Sequence, residues 1–186
     1  MPRLYGTKQV RVAAYNRRAS KYFLELAETR EEARFFTAQA ALVYSAFTYE
    51  AFLNQLGKRV LKNWARHEWG PVQAKLKVIC QQIGYTPRLG ARPYQTIRRL
   101  FRFRNQIAHG RDETVVASGT HVVVAGTPTI DTIQADWERY CTVANARKAF
   151  DDVDAIARDL CAKAGISKFA GCPFGTMASS VVSIRP

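Results

Sequence analysis

The sequence predicts an all-α protein, an antiparallel helical bundle with one small β-hairpin insertion. Long segments place apolar residues three and four positions apart, which is the spacing of one helix face. Gly and Pro stand between those segments and mark turns. The chain has 186 residues and is 47% apolar, which is enough for one sizeable core and excludes a disordered chain.

The first half of the chain predicts three helices. The first spans 8–28, and a longer one follows from about 33 to 64. Gly70 and Pro71 then break the chain, and a third, short helix spans about 72–83 and ends at Gly84. In the long helix one apolar stripe predicts the core face, and its members are Phe36, Ala40, Val43, Phe47, Gly57 and Leu61.

A fourth helix follows the loop 85–91. Pro93 suits its first turn, because the fixed backbone angle of proline favours that position. The helix is expected to end near Ala108, with Gly110 free to adopt the left-handed capping conformation. Its inward stripe is Ile97, Leu100, Phe101, Arg104, Ile107 and Ala108.

The remaining segments complete a helical domain over 1–164. Residues 114–125 are rich in Val and Thr around Ser118 and Gly119, which predicts the β-hairpin. Asp131 or Thr132 is expected to cap one last long helix through about Lys163. Residues 165–186 lose periodicity and predict an irregular C-terminal tail. The inward residues expected in the last helix are Trp137, Cys141, Val153, Ile156 and Leu160.

Positive charge is concentrated in one part of the chain. The net charge is +13, and residues 70–111 hold nine basic residues and no acidic one. The resulting positive electrostatic field favours a polyanionic partner, and nucleic acid is the first candidate. Alternatively, these basic residues form a solvated helix face. The absence of acidic partners four residues away weakens that interpretation. The candidate RNA-binding residues are Arg98, Arg99, Arg102 and Arg111.

Several classes of protein and site are disfavoured. No apolar run reaches the ~18 residues that a membrane span needs, and the start of the chain has no apolar leader, so we expect a cytoplasmic protein that does not enter the membrane. No nucleotide-binding glycine loop is present, and Asp151, Asp152 and Asp154 lack the spacing of a calcium loop. They predict a solvated acidic face, and no cofactor or metal is expected. The four cysteines form no C-x-x-C pair and predict buried thiols: Cys80, Cys141, Cys161 and Cys172.

Two charged residues fall where apolar residues are expected. Arg104 interrupts the inward stripe of the fourth helix, and Glu50 continues the stripe of the long helix. Burying either charge alone is costly, whereas an Arg–carboxylate pair satisfies both groups. A purely structural ion pair is one interpretation. Because apolar replacements of such pairs are often neutral or stabilising, a functional role is the other.

His109 supplies a proton carrier close to Arg104. Asn105 and His109 are four residues apart and share one helix face. Imidazole exchanges protons near neutral pH, and guanidinium binds phosphate through two hydrogen bonds. These are the groups that metal-free RNA cleavage needs. Alternatively, His109 is only a cation at a helix C-terminus. His67 is expected in a helix-end cluster, with contact to RNA bases as the alternative, and His121 in a strand of the hairpin.

The segment 101–110, with the pattern Arg104-Asn105-x-x-x-His109-Gly110, resembles the signature of the HEPN superfamily (higher eukaryotes and prokaryotes nucleotide-binding domains). The segment 46–54 around Glu50 is similar to the acidic element of an earlier helix in that family. The resemblance covers about 30–165 and implies a helical bundle of HEPN type. The hairpin and the tail depart from the pattern and leave the subfamily open.

The resemblance implies a metal-independent endoribonuclease in a toxin–antitoxin, phage-defence or CRISPR-associated setting, with a cognate antitoxin or activator protein as a further partner. It also implies a homodimer in which two motifs meet. Only one of the three histidines lies in the basic segment, so a second copy is expected to supply the second proton carrier; one histidine acting with a water is the alternative. The expected catalytic residues are Arg104, His109, Asn105 and Glu50. The alternatives are a non-catalytic module that binds RNA, a nucleotide or a protein partner, and a structural or regulatory dimer.

Overall fold

The protein is a bundle of α-helices, as the sequence predicts. The structure is a computed structural model that describes residues 3–5, 10–110, 112–116, 134–166 and 183–185. The described elements are β1 (Arg3–Tyr5), α1 (Val12–Thr29), α2 (Arg34–Val60), a 3-10 turn (Trp64–Arg66), α3 (Val72–Gln82), α4 (Tyr94–Ala108), α5 (Asp136–Tyr140), α6 (Val143–Lys163) and β2 (Ser183–Arg185). Most of the predicted hairpin, 117–125, lies outside the described residues, and 112–116 has no regular secondary structure.

Helix α2 is the centre of the bundle. Helices α1, α3, α4 and α6 all contact it, which explains why this one helix is apolar around most of its circumference. The core that they enclose includes Leu24, Leu42, Tyr49, Phe52, Leu100 and Ile156. The arrangement brings one side of α2 beside α3 and α4, where the basic residues lie.

The predicted core face of α2 is wrong at its aromatic positions. The side chains of Phe36 and Phe47 are 67% and 37% exposed, whereas Tyr49 and Phe52 are fully buried. An almost uniformly apolar helix offers more than one stripe at the right spacing, so periodicity alone selected the wrong one. The predicted core face of α4 is also wrong in part, because Phe103 is buried and Ala108 is exposed.

The ends of two helices follow different rules. Gly84 closes α3 as predicted, with a φ of 64° that favours glycine. Gly110 does not adopt the left-handed conformation; the described glycines with positive φ are Gly84 and Gly165. Gly110 is instead needed for space, because a Cβ there would lie 2.8 Å from the carbonyl oxygen of Gln106.

The predicted last helix is two helices. Cys141 leaves the helical conformation, and the Thr142 hydroxyl begins α6 by accepting a hydrogen bond of 3.1 Å from the Asn145 N–H. A threonine cap inside an apolar pattern is easily taken for a helix interior, since the periodicity continues across the break. Asp131 and Thr132 lie outside the described residues. Cys141, Val153, Ile156 and Leu160 are buried as expected, and Trp137 is half-buried.

The predicted acidic face of α6 is wrong for two of its three members. Asp151 is exposed, but Asp152 and Asp154 are 5% and 6% exposed. Arg17 of α1 donates two hydrogen bonds to Asp154, and Arg92 donates two to Asp152. Both partners are more than 50 residues away in the sequence, so the spacing on α6 alone does not reveal them.

Three cysteines are buried free thiols, as predicted: Cys80, Cys141 and Cys161. Burial raises the pKa of Cys80 to about 11 and that of Cys141 to about 12, so both thiols stay protonated at neutral pH. Cys172 lies outside the described residues.

The two ends of the chain form a short antiparallel ladder. Leu4 of β1 is opposite Ile184 of β2. The sequence predicts no strand in either segment, because three residues are too few to show alternation. The structure thus adds a strand to the tail expected to be irregular.

Gly57 is expected to be intolerant of substitution, since it contacts the buried ring of Trp64. A Cβ at this position would overlap that ring. We expect Gly57→Ala to lower the free energy of unfolding by roughly 1–3 kcal/mol, the usual cost of overpacking. Urea denaturation measures the effect. Lys58→Ala, at the exposed neighbouring position, is the control, and equal stability of both variants would contradict the packing.

Candidate functional site

Helices α2, α3 and α4 bring three charged side chains together. Glu50 accepts a hydrogen bond of 3.1 Å from Arg104 Nη2 through Oε2 and one of 2.9 Å from Lys75 Nζ through Oε1. The Arg104–Glu50 pair expected from the sequence is therefore present, with one hydrogen bond rather than two. Lys75 was missed as a partner, because in the sequence it is simply one of nine basic residues.

The three charges differ in burial. The Lys75 side chain is 3% exposed, whereas those of Glu50 and Arg104 are 28% and 24% exposed. Lys75 therefore depends on Glu50 for compensation, and Arg104 stays partly accessible from outside. One carboxylate shared by two cations leaves the cluster with a formal charge of +1. That excess favours an anion near Arg104.

Aromatic rings and an amide fix the Arg104 guanidinium. It lies 5.7 Å from the ring centre of Phe47 and 5.9 Å from that of Phe101, distances at which a cation is attracted to a ring face. Its Nη1 donates a hydrogen bond of 3.1 Å to Asn105 Oδ1. Its buried Nε has no hydrogen-bond partner among the described residues. A guanidinium has five N–H donors, and the described contacts use two of them.

A polar stripe runs along the exposed side of α4. Its members are spaced four, three and four residues apart, so they share one helix face: Arg98, Arg102, Asn105 and His109. All four are exposed. Arg99 is also exposed and lies over the Tyr140 ring at 5.5 Å. Arg111 lies outside the described residues.

An open cleft of about 650 Å³ lies at the C-terminal end of α4. Arg102, Asn105 and His109 line it together. Arg104 does not line this cleft; its hydrogen bond to Asn105 connects it to the wall. Glu113 also lines the cleft; sequence reasoning missed it, because it lies beyond the end of the motif.

His109 occupies the C-cap of α4. Its backbone N–H donates to the carbonyl oxygen of Asn105 at 2.9 Å, while the residue is exposed. The position suits a cation that stabilises the helix end. It equally leaves the imidazole open to a ligand in the cleft.

The other two histidines are not part of this cleft in the described residues. His67 lies beside Trp64, with ring centres 6.1 Å apart, in the helix-end cluster that was predicted. His121 lies outside the described residues. In the described part of the chain, no group of His, Cys, Asp and Glu side chains is arranged to hold a metal ion, and no helix is long and apolar enough to cross a membrane.

The arrangement combines a guanidinium with unused donors, an exposed imidazole and a row of cations on one face. Together these groups can bind a phosphodiester and exchange a proton beside it. Comparison of the chain with models of protein families, with curated proteins and with solved structures finds no match.

Proposed function

We propose that this protein is a metal-independent endoribonuclease of HEPN type. The observation that carries the proposal is the Arg104 guanidinium, held by Glu50 and Asn105 beside the cleft that His109 lines. The motif resemblance and the basic face of α4 support the same conclusion. RNA is the proposed substrate, bound along Arg98, Arg99, Arg102 and Arg111.

The chemistry assigns one role to each side chain. A ribose 2′-oxygen attacks the adjacent phosphorus, the bond from phosphorus to the 5′-oxygen breaks, and a 2′,3′-cyclic phosphate and a 5′-hydroxyl result. His109 exchanges the proton at one of these two oxygens. Arg104 stabilises the negative charge on the phosphate. Asn105 orients the phosphate or the histidine, and Glu50 positions Arg104.

The proposed biological setting is a cytoplasmic toxin–antitoxin or phage-defence system. Uncontrolled RNA cleavage harms the cell that produces the enzyme, so a cognate antitoxin or an activator is the expected protein partner. The rival is a non-catalytic HEPN-like module that binds RNA, a nucleotide or a protein and uses Arg104 and Glu50 structurally. The imidazole on the wall of the cleft favours the enzyme, because binding alone does not need a proton carrier there.

Cleavage is expected to continue when divalent metals are removed. Proton transfer and charge stabilisation both come from side chains in this mechanism, so chelation removes nothing that it uses. The test incubates end-labelled single-stranded RNA with the purified protein in EDTA and in Mg²⁺. Similar rates are expected. A rate that vanishes in EDTA and returns with Mg²⁺ would contradict the proposed mechanism.

A homodimer is the proposed state of the enzyme. It is supported by two aromatic residues of the α2 stripe that the sequence predicts as core but that are exposed, Phe36 and Phe47. Exposed apolar side chains that share one helix face are typical of an interaction surface. Phe47 also lies against the Arg104 guanidinium, so a second copy bound there brings a second His109 near the first site and supplies both an acid and a base.

Phe36→Asp is expected to shift the protein from dimer to monomer. Phe36 is 67% exposed, so a charge there leaves the helix intact while opposing burial against another copy. Analytical ultracentrifugation measures the association, and circular dichroism checks the fold. The control is Gln55→Asp, which introduces the same charge at a half-buried polar position of the same helix, outside this stripe. An unchanged dimer in Phe36→Asp would exclude this face.

A further inference from the structure

A second cleft lies along the N-terminal half of α4. Its volume is about 580 Å³, and it is enclosed by α3, the connection 83–93 and α4. Its walls are mainly apolar and include Leu76, Cys80, Tyr85, Tyr94, Ile97 and Phe101. The volume is within the range of small-molecule sites. None of the four proposed catalytic residues lines this cleft.

The polar groups that line this cleft are neutral or positively charged. Gln73, Gln81 and Thr86 contribute amide and hydroxyl groups, and Lys77 and Arg98 contribute two positive charges. No acidic residue is among the described residues that line it. The Cys80 thiol is neutral at physiological pH. Aromatic walls, hydrogen-bonding edges and cations suit a flat heterocycle attached to a phosphate.

The cleft adjoins the proposed catalytic residues through two side chains. Arg98 lines the cleft and also belongs to the exposed stripe that contains Asn105 and His109. Phe101 lines the cleft, and its ring centre is 5.9 Å from the Arg104 guanidinium. From Arg98 to Asn105 the helix rises by roughly 10 Å. A strand bound along this stripe therefore passes the mouth of the cleft.

We propose that this cleft binds an unpaired nucleobase of the RNA, close to the scissile phosphate. The inference rests on the proposed function for the identity of the strand. It specifies the substrate class as single-stranded RNA, since a base inside a duplex cannot enter a cleft between helices. Tyr85, Tyr94 and Phe101 provide surfaces for contact with the base, while Lys77 and Arg98 bind the backbone at its side.

Gln73→Trp is designed to fill the cleft from an exposed position of α3. Gln82→Trp is the matched control, because Gln82 is exposed on the same helix and does not line the cleft. Both changes are made in His109→Ala protein, so that binding is measured without cleavage. The probes are a short labelled single-stranded RNA and the same chain of abasic ribose phosphates, compared by fluorescence anisotropy.

The proposal predicts that the parent protein binds the RNA with an affinity about tenfold or more above that for the abasic chain. This gain is the size expected for one stacked base. Gln82→Trp is expected to keep this gain, and Gln73→Trp to lose most of it while still binding abasic chains through their phosphates. An equal gain in both variants, or no gain in the parent protein, would overturn the proposal and leave the cleft to a different ligand. Because no cleavage is measured, a failure of the nuclease assignment gives a separate result.

Discussion

His109→Ala is expected to lower the rate of RNA cleavage by at least about a hundredfold, because a positioned general acid or base contributes that much or more. His109 is exposed at the end of α4, and its backbone hydrogen bond does not depend on the side chain. The free energy of unfolding should therefore stay close to that of the wild type. Cleavage rates and urea denaturation are measured on the same preparations.

His67→Ala is the matched control for this substitution. His67 is beside Trp64 and does not line the cleft at the end of α4, so its removal should leave cleavage unchanged. Equal cleavage by wild type and His109→Ala would contradict the catalytic assignment. A loss of folding in His109→Ala would contradict the exposed position of the side chain.

Glu50→Ala is expected to damage both stability and activity. It leaves the buried Lys75 ammonium without its partner and releases Arg104 from its anchor. The expected loss of unfolding free energy is about 2–3 kcal/mol, below the range for fully buried pairs because Glu50 and Arg104 are partly exposed. Urea denaturation and RNA cleavage measure the two effects.

The double variant Glu50→Ala/Lys75→Met separates the two effects. Replacing the buried ammonium by an apolar chain of similar length removes the uncompensated charge, so most of the stability should return. Arg104 still lacks its anchor, so cleavage should stay low. If the double variant recovered cleavage together with stability, Glu50 would have a purely structural role. If Glu50→Ala were as stable as the wild type, the buried pairing with Lys75 would be contradicted.

Local patterns were sufficient to predict the helical class and one long-range contact. Turn residues such as Gly84 mark helix ends directly, and Arg104 and Glu50 stand out because charge interrupts two apolar stripes. Burial of one sign requires the other sign nearby, and Glu50 is the only acidic residue between Glu32 and Glu68. That elimination led to the pair now found between α2 and α4.

Contacts that depend on the packing of distant elements were not predictable. Lys75 reaches Glu50 only because α3 packs beside α2, and nothing in its own segment distinguishes it from Lys77. Asp154 is buried because α1 supplies Arg17, which is 137 positions away. The sequence pattern does not show the break between α5 and α6, because the apolar spacing continues through Thr142. The exposed side of α2 carries the same apolar spacing as a core side, and periodicity does not distinguish the two.

The chemical identity of the RNA ends tests the central claim most directly. Wild-type protein, Arg104→Ala and His109→Ala, each checked for folding, are incubated with end-labelled RNA in EDTA, and the product termini are determined. The account predicts cleavage by the wild type alone, with 2′,3′-cyclic phosphate and 5′-hydroxyl ends. Products ending in 3′-hydroxyl and 5′-phosphate, or equal cleavage by all three proteins, would contradict it.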